Sequence, residues 1–323
     1  MYTSLEICAG AGGQALGLEM AGFSHSLLVE YERDYCDCIR NNRPEWNVAC
    51  EDVHAFDGKP YRGKIDLLSG GVPCPPFSMA GKQLGQDDER DLFPEMLRLV
   101  DEISPKVVMI ENVRGLLDAK FDGYRQKILS RLNELGYNTH IRLFHSSQFG
   151  VPQLRPRVII IAVRTDLEDC FTFPSPDEAT PLTVGEALYD LMAANGWEGA
   201  AEWKKNASKI APTLVGGSKK HGGPDLGPTR AKREWASLGV DGKGVANDAP
   251  AKDFVGLPRL TVRMLARIQG FPDSWDFGQK KTLACRMIGN AFPPPVAKSI
   301  GVKIINLLDY NASIDRTTTT KVS

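Results

Sequence analysis

The sequence has no apolar run of about 18 residues, the minimum that a membrane-spanning helix needs. Its first residues also lack the basic-then-apolar layout of a secretory signal. The seven cysteines are odd in number and scattered over 323 residues, which argues against a disulfide framework. The formal net charge is −1, so any surface that binds nucleic acid has to be local. These absences predict a cytosolic protein, without membrane contact, whose cysteines are reduced.

The overall composition is that of an ordinary globular protein, with 42% hydrophobic and 24% charged residues. A chain of 323 residues has room for a full core and a second, smaller domain. Cys36 and Cys38 form a C-x-C pair without a second Cys/His pair, so we expect a structural role and predict no metal site. The polar, Thr-rich tail at 311–323 is predicted to be disordered.

The most informative stretch is 70–78 (GGVPCPPFS), which follows a short apolar run at 65–69. That run has the length of a strand, so Cys74 is predicted to lie just past a strand's carboxyl end. The flanking prolines exclude helix and stiffen the loop, and the preceding glycines let another molecule come close. A lone cysteine in such a loop is more often a buried structural residue. Motifs elsewhere in the chain are therefore needed to distinguish a structural Cys74 from a catalytic one.

The amino-terminal part predicts a Rossmann-like opening: a strand at 4–8, a glycine turn at 9–13 (AGAGG) and a helix at 14–21. The glycine spacing is not G-x-G-x-x-G, which counts against binding of a dinucleotide pyrophosphate. Predicted strands at 25–29 and 48–50 are followed by Glu30 and Asp52, placed to accept from ribose hydroxyls and an adenine amino group. Either acid alone is more often a solvated strand end, but successive loops of this kind predict ligand binding.

Two later segments bring further functional groups to the same sheet edge. A buried-type strand at 105–110 delivers Glu111 at its carboxyl end. The loop at 148–157 (QFGVPQLRPR) joins strands at 138–144 and 158–163 and carries Gln153, Arg155 and Arg157. Such arginines usually sit in a solvated turn, but beside a catalytic edge their rigid forks of donors are candidate binders of an anion or a base. With helices at 33–41, 92–103 and 124–135, the pattern predicts an α/β fold.

The middle third, from 173 to 256, lacks clear periodicity and is rich in Gly, Pro, Lys and Asp. Between 204 and 233 a single acid, Asp225, stands against eight basic residues: Lys204, Lys205, Lys209, Lys219, Lys220, Arg230, Lys232 and Arg233. Composition leaves two alternatives open, a flexible solvated loop or an insert that grips phosphates. Helical patterns return at 260–269 and 296–308.

In this order, the motifs resemble the DNA cytosine-5 methyltransferases along nearly the whole chain. The matching stretches are CAGAGG at 8–13, Glu30, Asp52, GGVPCPPFS at 70–78, ENV at 111–113, QLRPR at 153–157, RLTVRMLARIQGFPDSW at 259–275 and GNAFPPPVAKSIG at 289–301. Eight stretches in one order form a highly specific signal. The chain departs from the family at Cys8, where Phe is usual, and at Pro75, where Gln is commoner.

The resemblance implies a Rossmann-like S-adenosylmethionine-dependent methyltransferase sheet with helices on both faces, plus a smaller, irregular target-recognition domain. The implied divisions are a catalytic domain at 1–180, the inserted recognition domain at 181–276 and a return to the catalytic domain at 277–310. The implied substrate is double-stranded DNA, modified by a monomer in the cytoplasm of a bacterial or phage-infected cell. A cognate restriction endonuclease would act separately.

The resemblance also assigns catalytic roles. The Cys74 thiolate would add to carbon 6 of a cytosine flipped out of the duplex, which makes carbon 5 nucleophilic. Glu111 would protonate or hydrogen-bond ring nitrogen 3, which requires burial to raise its pKa. Arg157 would hold the ring's carbonyl oxygen, supported by Arg155 and Gln153.

The implied cofactor is S-adenosylmethionine, with S-adenosylhomocysteine as its product. Its expected binding residues are Cys8, Ala9, Gly10, Gly12, Gly13, Glu30, Tyr31, Asp52, Val53, Pro73, Leu92, Asn290 and Ala291. The expected DNA contacts are Ser78, Lys219, Lys220, Arg230, Lys232 and Arg233.

Three other functions stay open at this point. A tRNA cytosine methyltransferase shares these motifs, but that branch has a different and smaller recognition region. A DNA-binding protein without activity is disfavoured by the intact Cys74, Glu111 and Arg157. A nicotinamide oxidoreductase is disfavoured by the missing dinucleotide spacing.

Overall fold

The computed structural model describes residues 1–73, 91–175, 181–216 and 223–320, and of residues 315–320 only the backbone. Four predicted site residues, Cys74, Ser78, Lys219 and Lys220, therefore lie outside the described residues. Over the ranges just given, none of the helices combines the length and the apolar character needed to cross a membrane.

Within these ranges, seven strands form one sheet. They are β1 (Tyr2–Ile7), β2 (Phe23–Glu30), β3 (Val48–Cys50), β4 (Leu67–Gly70), β5 (Val107–Val113), β6 (Tyr137–His145) and β7 (Pro156–Arg164). The order is β3-β2-β1-β4-β5-β7-β6. The first five strands are parallel, whereas β7 runs antiparallel to both β5 and β6. The predicted α/β fold is confirmed, and the carboxyl ends of β1 to β5 meet at one edge of the sheet.

The helices of the described chain connect and cover this sheet. They are α1 (Gly13–Ala21), α2 (Arg33–Asn42), α3 (Phe93–Ile103), α4 (Asp122–Glu134), α5 (Val184–Met192), α6 (Ala200–Asn206), α7 (Thr229–Ala236), α8 (Val262–Ile268), α9 (Lys281–Asn290) and α10 (Pro294–Thr320). The helices predicted from periodicity are present with bounds shifted by at most two residues, except at the carboxyl end of α10. The stretch without periodicity contains α5, α6 and α7, which the sequence did not predict.

The central strands are apolar on both faces because helices cover both faces. Along β5, Val108 and Ile110 belong to the core shared with α3 and α4. Their neighbours Val107 and Met109 belong to a second core shared with α1 and α10. This alternation explains why β5 reads as a continuous hydrophobic run rather than an amphipathic one.

The last helix packs closely on the first. A Cβ atom on Gly17 of α1 would lie 2.3 Å from the Pro294 carbonyl oxygen and 2.5 Å from Ala297 Cβ, so only glycine permits this approach. Just before α10, the Phe292 carbonyl oxygen would lie 2.4 Å from a Cβ on Gly13. The segment before α10 therefore lies against the glycine turn at the end of β1.

The predicted disorder of 311–323 is wrong for residues 311–320, because α10 continues to Thr320. The buried Asn311 explains why the helix does not end at the predicted residue 308. Its Nδ2 donates to the carbonyl oxygens of Glu168 and Leu307, both at 3.0 Å, and its Oδ1 accepts from the Glu168 N–H at 2.8 Å. These bonds fasten α10 to the loop that follows β7.

The inserted helices share one hydrophobic core with α1 and α2. This core joins Leu16 and Ile39 to Leu188, Trp203 and Trp235. The segment from α5 to α7 is therefore held against α1 and α2 by continuous apolar packing.

The two cysteines of the C-x-C pair are buried in α2. The Cys36 thiol donates to the Glu30 carbonyl at 3.3 Å, and the Cys38 thiol donates to the Asp276 carbonyl at 3.4 Å.

Candidate active site

A cavity of about 840 Å³ opens at the carboxyl edge of the sheet, within the usual size range of small-molecule sites. The structure brings most of the predicted site residues to its wall: Cys8, Ala9, Gly10, Gly13, Glu30, Tyr31, Asp52, Val53, Pro73, Leu92, Glu111, Arg157, Asn290 and Ala291. Gly12, Gln153 and Arg155 do not line it. The predicted cofactor residues other than Gly12 and two of the predicted catalytic residues, Glu111 and Arg157, thus share one cavity.

The turn after β1 has a left-handed backbone at Cys8 (φ 53°), Gly10 (φ 57°) and Gly12 (φ 82°). A Cβ on Gly10 would meet no described atom within 4 Å, so this residue faces open space. A Cβ on Gly12 would lie 3.1 Å from the Trp275 ring, so this residue faces the protein instead. Burial raises the pKa of the Cys8 thiol, which keeps this cysteine protonated and leaves it as an uncharged wall residue.

Two carboxylates mark the next strand ends. The buried Glu30 accepts hydrogen bonds from the N–H groups of Gly10, at 2.7 Å, and Glu32, at 2.8 Å. Burial nevertheless raises the pKa of Glu30 above its ordinary value. Asp52 is half-exposed, and its Oδ1 accepts from the N–H of His54 at 3.0 Å and lies 2.8 Å from His54 Nδ1. These bonds lower the pKa of Asp52, so its charge is well maintained.

The cavity is electrically suited to a cation. Its wall carries six carboxyl groups, those of Glu6, Glu30, Glu32, Glu51, Asp52 and Glu111, against the basic side chains of Arg157 and His54. Glu111 is paired with Arg157, and burial raises the pKa of Glu6 to about 8, so these two add little net negative charge near pH 7. One of these groups, Glu6, is 1% exposed and its Oε2 has no hydrogen-bond partner among the described residues. A sulfonium-bearing nucleoside, with hydroxyl and amino donors and a positive charge, fits this set of acceptors.

At the other end of the cavity, Arg157 Nε lies 2.5 Å from Glu111 Oε1, with the side chains 12% and 13% exposed. The antiparallel pairing of β7 with β5 places Arg157 opposite Val113 and so brings the guanidinium to the end of β5. A Cβ on Gly71 would lie 3.0 Å from Glu111 Oε2. Gly71, three residues before Cys74 in the sequence, therefore lies directly against this ion pair.

Arg155 and Gln153 lie behind the cavity wall, and both are fully buried. Arg155 has a φ of 26°, a strained value for a residue with a side chain. Its Nη1 donates to the Leu214 carbonyl at 3.0 Å, and burial followed by the nearby charge of Arg157 lowers its pKa. Their position fits a supporting role for both residues rather than direct contact with a ligand.

The predicted DNA contacts that the structure describes lie on α7. Lys232 Nζ is 2.7 Å from Asp225 Oδ2, so its charge is already paired. Arg230 is almost fully exposed and lies 3.1 Å from Glu234 on the same helix. Arg233 is also exposed. Of the three, the two arginines are the better placed to reach a polyanion.

Sequence reasoning missed several residues of the wall, above all Glu6 and Tyr35. The sequence did contain a signal for Glu6, because this residue is the only charged one in the short strand pattern at 4–8. Tyr35 lies on α2, where burial raises the pKa of its hydroxyl to about 12. Its approach to the cavity depends on how α2 packs, which no local pattern encodes.

Burial raises the pKa of Glu6 from 4.5 to about 8. Between these values the native protein keeps a proton that the unfolded chain releases, so rising pH favours unfolding. We expect Glu6→Gln to stabilise the protein increasingly from pH 5 to pH 8, by up to about 1.4 kcal/mol per pH unit. Denaturant unfolding at several pH values measures this, with the exposed Glu45→Gln as control. A stability gain that is constant with pH would mean that native Glu6 is already ionised.

Comparison with known proteins gives three findings. The family model described as C-5 cytosine-specific DNA methylase matches residues 2–306. The chain is 54% identical over 310 residues to the type II methyltransferase M.NgoMIV of Neisseria gonorrhoeae, which covers 95% of this chain and 98% of that protein. It is 56% identical over 306 residues to the type II methyltransferase M.NaeI of Lentzea aerocolonigenes, which covers 93% of this chain and 74% of that protein.

A solved structure, that of the Dnmt2 methyltransferase of Schizosaccharomyces pombe, matches with a TM-score of 0.64 over 96% of this chain and 99% of that chain. The two sequences are 18% identical, so this likeness shows the fold alone.

Proposed function

The chain belongs to the family of C-5 cytosine-specific DNA methylases, and from this membership we propose which of its residues carry out the reaction. It is a DNA (cytosine-5-)-methyltransferase, as its motifs predicted. The observation that carries the assignment of residues is the single cavity that holds Glu30 and Asp52 at one end and the Glu111–Arg157 ion pair at the other.

The family uses S-adenosylmethionine, which supplies an electrophilic methyl group when bound. In this chain the glycine turn, with Cys8, Ala9, Gly10, Gly12 and Gly13, would surround the methionine portion. Glu30 and Tyr31 would bind the ribose, and Asp52 and Val53 the adenine. Pro73 and Leu92 would line the cavity wall, with Asn290 and Ala291 at the methionine end. The excess of carboxylates around the cavity supports binding of a cation there.

The chain's own catalytic groups would act on a cytosine that has left the base stack, since the target atoms are otherwise hidden. The Cys74 thiolate would add to carbon 6. Glu111, which the structure pairs with Arg157, would first have to take up a proton and would then relieve the ring charge by protonating or hydrogen-bonding nitrogen 3. Arg157 would hold the ring's carbonyl oxygen. Once carbon 5 has taken the methyl group that the bound cofactor would supply, with S-adenosylhomocysteine as the leaving product, loss of the carbon 5 proton to a base, which we take to be water, would let the Cys74 sulfur leave and free the enzyme. Pro73 and Gly71 support this role for Cys74, because they bring the preceding chain to Glu111.

The inserted segment at 181–276 would be the target-recognition domain, and residues 277–310 would return to the catalytic domain. Its basic stretch, with Lys219, Lys220, Arg230 and Arg233, would grip DNA phosphates, and Ser78 would contact the DNA from the catalytic loop. We also propose a monomer in the cytoplasm of a bacterial or phage-infected cell. Relatives named as type II methyltransferases favour a modification enzyme whose cognate endonuclease, where one exists, acts separately.

The proposed function is tested by methyl transfer from tritiated S-adenosylmethionine to mixed-sequence duplex DNA, with bulk tRNA as the competing substrate. We expect label in DNA and none in tRNA, and bisulfite sequencing of the product to show one recurrent sequence context. Label in tRNA alone would contradict the proposed substrate. Binding of DNA without any transfer would instead favour a protein that has lost its activity.

A further inference from the structure

Residues 211–216 of the insert are tied to the loop at 148–157 that carries Arg155 and Arg157, which we call the arginine loop. Gln153 pairs with Ala211 in an isolated parallel bridge. The N–H of Leu154 donates to the Ala211 carbonyl at 3.1 Å, and the N–H of Ala211 donates to the Pro152 carbonyl at 3.0 Å. Arg155 then donates to the Leu214 carbonyl. The backbone just before Arg157 is therefore held by the insert, although Arg157 itself belongs to β7, opposite the end of β5.

The same segment also presses against the residues around Asn290. A Cβ on Gly216 would lie 2.2 Å from Asn290 Oδ1 and 2.7 Å from the Arg286 carbonyl oxygen. A Cβ on Gly289 would lie 2.3 Å from the backbone nitrogen of Gly216. Two glycines therefore meet backbone to backbone, and neither position has room for a side chain. This contact fixes where the Asn290 side chain stands in the cavity wall.

A buried amide pair closes the junction. Gln153 Nε2 donates to Gln269 Oε1 at 2.7 Å, and Gln153 Oε1 accepts from the Leu214 N–H at 2.8 Å. Gln269 Nε2 in turn donates to the Ala291 carbonyl. Both glutamines are fully buried. One continuous chain of hydrogen bonds thus runs from Leu214 of the insert through Gln153 and Gln269 to Ala291, the residue after Asn290.

We propose that Gln269 and the glycine pair Gly216 and Gly289 are positioning residues that hold the arginine loop and Asn290 in a fixed position relative to each other. The cofactor end and the base end of the cavity then take their working geometry together, and only while the insert is docked. This proposal rests on the proposed function, which assigns the two ends of the cavity to S-adenosylmethionine and cytosine. It goes further by making the insert part of the catalytic geometry, in addition to its role in reading DNA.

Gly216→Ala tests the glycine contact, because the new methyl group must displace Asn290. We expect the Kd for S-adenosylmethionine, measured by equilibrium binding without DNA, to rise about tenfold or more. Gly123→Ala is the matched control, since a Cβ there meets no described atom within 4 Å. Unchanged cofactor affinity in a folded Gly216→Ala protein would overturn the proposal.

Gln269→Leu tests the hydrogen-bond chain through the two glutamines. It also provides a test of the proposal if Gly216→Ala does not fold. We expect about a tenfold loss of cofactor affinity together with slower trapping of a covalent adduct on DNA that contains 5-fluorocytosine. Asn311→Leu removes a comparable buried amide that joins α10 to Glu168. It should lower the melting temperature without changing either readout.

A Gln269→Leu protein that melts earlier but binds cofactor and forms adduct at wild-type rates would show that Gln269 is merely structural. The wild-type protein separates this result from a failure of the proposed function. If the wild type neither binds S-adenosylmethionine nor forms an adduct, the proposed function itself is wrong.

Discussion

Replacing Cys74 by alanine is expected to abolish methyl transfer, with a loss of more than about 10⁴-fold in kcat, because no other group can supply the covalent activation of the ring. The affinity for S-adenosylmethionine should stay within a few-fold of the wild-type value. That separation follows from the cavity, where the cofactor end is built from the glycine turn, Glu30 and Asp52. Filter-bound tritium on DNA measures the first quantity, and equilibrium binding measures the second.

The matched control is Cys170→Ala, which removes an exposed thiol and should leave both quantities unchanged. DNA carrying 5-fluorocytosine adds a direct readout, because fluorine cannot leave as a cation and the sulfur stays bonded to carbon 6. Wild-type protein and the control should form this adduct, whereas the Cys74 variant should not. Loss of cofactor binding in the Cys74 variant would instead place the sulfur in the cofactor site and overturn its assignment as the nucleophile.

The site residues that could be predicted from the sequence lie at the ends of short apolar runs. Glu30, Asp52 and Glu111 each follow or close a short apolar run, and a strand's length can be judged from such a run alone. Parallel strands then bring their carboxyl ends to one edge. The three acids line one cavity as a consequence. Their roles in binding and catalysis remain predictions.

What could not be predicted depends on pairings between distant parts of the chain. Arg157 reaches Glu111 because β7 is antiparallel to β5 in a particular register, and nothing in the loop at 148–157 encodes that register. Gln153 and Gln269 are 116 residues apart in sequence. The close contact of Gly216 with Asn290 likewise appears only once the insert has folded against the catalytic part.

The helices between residues 181 and 256 could not be predicted for a different reason. The short helices α6 and α7 have seven and eight residues, too few for a clear helical period. Each is held by one large buried side chain, Trp203 and Trp235 respectively. Burial of a single tryptophan therefore anchors each of these two short helices in a region whose composition left a flexible loop and a phosphate-gripping insert both open.

Glu111→Gln is expected to lower kcat by about 10² to 10⁴-fold, the usual contribution of a positioned general acid. The amide keeps the shape and the hydrogen-bonding capacity of the side chain, but it has no proton to give to ring nitrogen 3. The Arg157 guanidinium, now 2.5 Å from Glu111 Oε1, would retain a neutral partner, so the protein should fold and bind cofactor normally. Single-turnover transfer to cognate DNA isolates this effect from product release.

Glu95→Gln is the matched control, because Glu95 is also a partly buried partner of an arginine, Arg98 at 2.8 Å, but does not line the cavity. If Glu111→Gln acted only by removing an ion pair, both variants would be less stable than the wild type, and their single-turnover rates would be the same. Loss of a catalytic proton would slow only the Glu111 variant, and it would slow the addition of Cys74 as well as the overall transfer, since both build charge on the ring. Adduct formation on 5-fluorocytosine DNA at the wild-type rate in Glu111→Gln would therefore show that protonation of the ring does not assist the attack of the thiolate.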